Sequence, residues 1–149
     1  MRTANANPNK IDSFLQRSLD YRATVDPASG AVNATATITL TNAAPAAGLP
    51  AYVIGNEVAK PPGSNTMYLS YYSPLPLMAA TIDGAPTAIE AQREFDGSVY
   101  SRLVTVPAGA TVTVTFTLAG HLSALAETGE YHLDLFNQPM ANSDHLRVD

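Results

Sequence analysis

Two stretches of strict two-residue alternation constrain this chain more than any other feature of its sequence. Val32, Ala34, Ala36, Ile38 and Leu40 alternate with Asn33, Thr35, Thr37, Thr39 and Thr41. Further on, Val112, Val114, Phe116 and Leu118 alternate with Thr111, Thr113, Thr115 and Thr117. Successive side chains of a strand point to opposite faces, so each stretch has one apolar face for a core and one hydroxyl face for water.

The remaining segments fit the same architecture. Leu19, Tyr21, Ala23 and Val25 alternate with polar neighbours, and Asp26-Pro27-Ala28-Ser29-Gly30 is turn chemistry, which predicts a hairpin into the strand that starts near Val32. Before it, Ile11, Phe14, Leu15 and Leu19 fall at a helical period with Asn9 as a cap, predicting one or two helical turns. Segments 42–50 and 55–65 read as long connections rich in Ala, Pro and Gly. Met67, Leu69 and Tyr71 alternate with Tyr68, Ser70 and Tyr72, and Met78 to Ile82 meets Thr87 to Ala91 across Asp83-Gly84, a hairpin signal. Ser98 to Val106 carries apolar residues on both parities, which implies a bulge or two-sided burial. Tyr131 to Phe136 and Leu146 to Val148 complete about eight expected strands. No helical pattern long enough for a crossover separates them, so the expected fold is all-β: an antiparallel two-layer β-sandwich, immunoglobulin- or fibronectin-like, with a closed barrel as the alternative. Residues 1–9 read as a polar leader, residues 10–149 as a single sandwich domain, and both ends as cuts in a longer protein.

Composition narrows the chemistry. The chain has 149 residues, a net charge of -5 and only eight Lys plus Arg, so it offers no basic patch for nucleic acid or for an anionic membrane surface. Charged residues make up 14% of it against an average of about 25%, while 46% is hydrophobic, which speaks for a folded core over disorder. With no cysteine, disulfides, thiolate metal sites and a cysteine nucleophile are excluded. No apolar run approaches the ~18 residues of a membrane span, so membrane insertion by this segment is not expected.

Candidate reactive residues are sparse. His121, His132 and His145, with Glu127, Glu130 and Asp144 near them in sequence, lack metal-site spacing and read as solvated surface groups. Ser64 and Ser98 lie in turn sequences without an elbow motif or a base. Glu90 and Glu94 would share a face only on a helix, while their neighbours read as strand and turn, so a paired-carboxylate glycosidase is not expected. No phosphate-cradling glycine run is present, and no cofactor, metal or catalytic residue is assigned. Asn33-Ala34-Thr35 matches a glycosylation acceptor. Lys10 and Lys60, the only lysines, raise an isopeptide cross-link to Asn137 or Asn142, but both lie in polar or proline-rich surroundings and are expected to stay free. The one candidate ligand-binding pair is Tyr68 and Tyr72, which share a parity and would project from one sheet face. Tyrosine usually hides its ring, so packing beneath the 55–65 segment is the favoured expectation, and stacking on sugars or contacting a protein is the other.

Four ordered motifs, Asn9-Lys10-Ile11-Asp12-Ser13-Phe14-Leu15, Leu49-Pro50-Ala51-Tyr52-Val53-Ile54-Gly55-Asn56, Pro62-Gly63-Ser64-Asn65 and Gln138-Pro139-Met140-Ala141-Asn142, span nearly the whole chain. Through them the chain resembles the C-terminal region of a bacterial envelope family known as domain of unknown function four-zero-one-two. The resemblance implies a high-GC Gram-positive origin, an N-terminal membrane anchor and a larger preceding domain akin to enzymes that attach polymers to cell wall. It therefore implies an outward-facing C-terminal fragment. No catalytic residue carries over, since the relevant region is absent, and Lys60 departs from the small or apolar residue expected there. Together these readings predict a non-catalytic, extracytoplasmic accessory or interaction module whose partners are other envelope proteins or cell-wall glycan. A carbohydrate-binding module is the second class and an enzyme the third.

Overall fold

The computed structural model describes residues 1–56, 60–94, 97–136 and 138–149. Asn137, one of the two asparagines considered for a cross-link, lies outside the described residues. The chain forms two sheets facing each other across one core, as an all-β sandwich requires. The six-stranded sheet contains β2 (Leu15–Asp26), β3 (Ala31–Asn42), β5 (Leu77–Ile82), β6 (Ala85–Pro86), β9 (Thr111–His121) and β10 (His145–Val148), in the order β10-β2-β3-β9-β5-β6. The four-stranded sheet contains β1 (Arg2–Asn5), β4 (Asn65–Ser73), β7 (Glu90–Glu94) and β8 (Gly97–Val106), in the order β1-β4-β8-β7.

The two alternating stretches become the centre of the larger sheet, where Ala34, Ala36, Ile38 and Leu40 of β3 lie opposite Leu118, Phe116, Val114 and Val112 of β9, all buried. Their outer faces meet as four directly opposed threonine pairs, from Thr35 with Thr117 to Thr41 with Thr111, and the last pair is hydrogen-bonded at 2.9 Å. Across the core, Phe116 stacks on Tyr71 of β4 with ring centroids 5.2 Å apart and planes 14° from parallel, which joins the two layers by an aromatic pair. The first expected hairpin forms, and of the second the turn forms. Gly30, at φ 74, closes β2 onto β3, and Asp83 and Gly84, at φ 50 and 79, form the two-residue turn between β5 and β6. The helical turn forms as a 3-10 helix over Ile11–Phe14, with the Asn9 carboxamide oxygen accepting the Ile11 N–H at 3.3 Å.

Four expectations are corrected. The sandwich is not wholly antiparallel, because β10 runs parallel to β2. Part of the polar leader is β1, an edge strand paired with β4; its Thr3 is buried because Arg17 and Gln138 satisfy its polar atoms. Tyr131 to Phe136 keeps its alternation, with Tyr131 and Leu133 against the core, but is not a strand. The segment after Gly84 splits between two sheets, Ala85–Pro86 pairing with β5 and Glu90–Glu94 with β8, because Pro86 cannot extend the ladder. Of the two readings of Ser98 to Val106, a bulge or two-sided burial, the second holds, since the segment pairs with β4 in unbroken register: Tyr100, Val104 and Val106 face the core, and Val99 and Ser101 are covered on the outer face.

Candidate functional site

The outer face of the four-stranded sheet carries the most distinctive arrangement of exposed side chains. In antiparallel pairs, directly opposed residues share a face, so the register defines rows running across the strands. Ala4, Tyr68 and Leu103 form one row, Tyr72, Val99 and Gln92 another. Between them runs Arg2, Ser70, Ser101 and Glu90, a wholly polar row. Leu103 is 53% exposed and Tyr72 36%, while Val99 and Ser101 beneath them are 4% and 6% exposed. The two serine hydroxyls share a hydrogen bond of 2.9 Å.

Tyr68 is fixed in a specific pose. It stands on β4, and its hydroxyl donates to the Glu90 carboxylate on β7, two strands away across β8. Strands are spaced about 4.8 Å apart, so that bond forms only if the ring lies along the sheet over β8. This explains why Ser101 is covered. The carboxylate acceptor, followed by desolvation, raises the Tyr68 hydroxyl above the ordinary tyrosine value. The expectation that both rings pack beneath the 55–65 segment is therefore corrected: Tyr68 turns to Glu90 and Tyr72 is exposed. The sheet brings both onto one face, as their shared parity predicts.

Other candidates are placed differently. Glu90 and Glu94 do share a face of β7, since a strand also brings i and i+4 to one side, but their Cα atoms are about 13 Å apart along it and the Glu90 carboxylate is turned to Tyr68 across the sheet, which does not make a glycosidase pair. His121, Glu130, Tyr131 and His132 line one cleft of about 260 Å³, with His132 3.2 Å from Glu130 and both well exposed. His145 lies apart on β10. Among the described residues, no group of three or more His, Asp or Glu is arranged to hold a metal ion. Ser64 is buried with its N–H donating to Pro61 O, and Ser98 lies half-buried on β8. Asn33 is exposed at the rim of a second cleft, beside Thr35 and Met78. Lys10 and Lys60 are both exposed, so the burial that an isopeptide bond demands is absent at each.

Sequence reasoning missed one cluster altogether. Arg17 and Asp144 form a bidentate pair at 2.8 and 2.7 Å, with side chains only 1% and 6% exposed. The remaining guanidinium nitrogen donates to Thr3 Oγ1 at 2.8 Å and Gln138 Oε1 at 3.0 Å. The Asn142 amide adds bonds to Ser13 O and Leu15 O, so residues 138–144 are latched onto the start of the chain. A signal was present: Arg17 shares parity with Leu15, Leu19 and Tyr21, and extending the alternation back by two residues would have placed it on the core face.

No family model and no curated protein matches the chain. One solved structure that it resembles, from Legionella pneumophila, is described as a "putative nutrient binding protein"; the two share 11% identity with a TM-score of 0.45, over 79% of this chain. The chain spans 41% of that protein's length. A likeness this distant assigns the present chain neither ligand nor activity.

Proposed function

We propose that the chain is a non-catalytic, extracytoplasmic sandwich module, immunoglobulin- or fibronectin-like, of a membrane-anchored envelope protein, and that it engages other envelope components through the outer face of its four-stranded sheet. The observation that carries this reading is the pair Tyr68 and Tyr72 on a rigid ladder beside the exposed Leu103. Tyr72 is exposed and Tyr68 partly so, and aromatics held on a hydrogen-bonded sheet provide contact area with little entropy left to lose on binding. The envelope placement is supported by the family resemblance. Among the described residues, no helix is long and apolar enough to cross a membrane, so attachment in this reading comes from the parent protein.

Co-sedimentation with purified envelope of a high-GC Gram-positive bacterium tests the proposal. The wild-type chain should pellet with the envelope, and Tyr72→Ala combined with Leu103→Ser should release it to the supernatant. Equal pelleting of both proteins, or no pelleting of either, would count against the face. A purified protein retaining a metal or nucleotide, lost on His121→Ala or His132→Ala, would replace this reading with one centred on the histidine cleft.

A further inference from the structure

We infer that the occupant of this outer face is an oligosaccharide of neutral pyranose rings. The inference rests on the reading of the face as a binding surface and adds the chemistry of what it binds. Its first support is the pose of Tyr68, whose bond to Glu90 lays the side chain across β8 with part of the ring exposed on the outer face. A pyranose offers the complement, an apolar face of C–H bonds with hydroxyls around its rim. The second support is the alternation of rows. The polar row that includes Ser70 and Ser101 runs between the Tyr68 row and the Tyr72 row, and the two tyrosines stand about 13 Å apart along β4. Stacking surfaces on either side of a hydroxyl-rich strip suit a sugar chain, which carries apolar faces and hydroxyl edges along its length.

Charge decides against a polyanion. Arg2 and Glu90 lie in the same row with opposite charge, so the centre of the face offers no field that selects one.

Titration of the whole chain with chitohexaose and with cellohexaose, followed by amide chemical shifts, tests the inference, with oligogalacturonate as the charged comparison. At least one neutral hexamer should give saturable shifts confined to β4, β7 and β8, and bind more tightly than oligogalacturonate. Tyr72→Ala should weaken it by about tenfold or more, and Tyr72→Phe by less than about twofold, because stacking uses the ring and not the hydroxyl. Leu103→Ser, at an exposed position, supplies a second variant if Tyr72→Ala does not fold. Absence of saturable shifts with both neutral hexamers, or unchanged affinity in Tyr72→Ala and Leu103→Ser, overturns the inference. If envelope co-sedimentation is still lost in the Tyr72→Ala, Leu103→Ser protein while the hexamers fail to bind, the face stands and only the sugar is wrong. If co-sedimentation is insensitive to those substitutions, both fall.

Discussion

Phe116 and Thr115 are neighbours in sequence and opposites in environment, one fully buried against Tyr71 and the other in the threonine ladder of the outer face. Phe116→Ala should cost about 3–5 kcal/mol, as other large-to-small core truncations do, and Thr115→Ala well under that. Urea unfolding decides the matter, and similar losses from both would mean the faces are exchanged. Such residues were legible because parity alone assigns them. Arg17 was not, because a charge on a core parity is readable only when its partner is known, and Asp144 lies 127 residues away. Removing the partner strands a desolvated guanidinium, so Asp144→Ala should cost about 3–5 kcal/mol. Arg17→Met combined with Asp144→Leu should cost clearly less, since it removes both charges together. A double variant as unstable as the single one in the same assay would show that the pair is not what holds the C-terminal segment.

At the scale of elements, the central strands, the first hairpin and the Asp83-Gly84 turn were readable because alternation and turn chemistry are local. The edges were readable only in part: β10 was expected, though not its parallel pairing with β2, whereas β1 and β7 are short and polar and each exists because a longer strand offers it a ladder, β4 for β1 and β8 for β7. Tyr131 to Phe136 shows the converse, a strand-like pattern that packs on the core without such a ladder. The connections carry their own constraints. Gly63 has φ 77, and a Cβ there would lie 2.4 Å from Pro45 O, whereas Gly109, at φ 68, faces open space. Gly109→Ala should therefore cost only the left-handed penalty of about 1–2 kcal/mol. Gly63→Ala should cost distinctly more, because backbone must also move. Thermal midpoints of the two variants give the comparison, and equal shifts would contradict the packing of the 42–50 segment over Gly63.

The whole molecule closes two sheets around buried tyrosines, and this sets its response to alkali. Burial pushes the hydroxyls of Tyr71 and Tyr21 well above the ordinary tyrosine value, and Tyr21 also shares a 2.5 Å hydrogen bond with Tyr131. Each keeps its proton in the folded state when the unfolded chain would lose it, near pH 10. Stability from these groups is thus complete below about pH 10 and falls as pH rises above it. Tyr71→Phe should lessen that fall, and urea midpoints measured from pH 8 to 11 show whether it does. The layered fold follows from patterns in the sequence, and so does the sharing of one face by Tyr68 and Tyr72. The pose of Tyr68 does not, because it depends on Glu90 arriving from a strand that the sequence placed in a different hairpin. In the proposed function this face is the working surface of the molecule. Amide hydrogen exchange with and without purified envelope addresses it most directly: protection should concentrate in residues 66–72, 90–94 and 98–103. Protection centred on residues 121–132, or none at all, would contradict it.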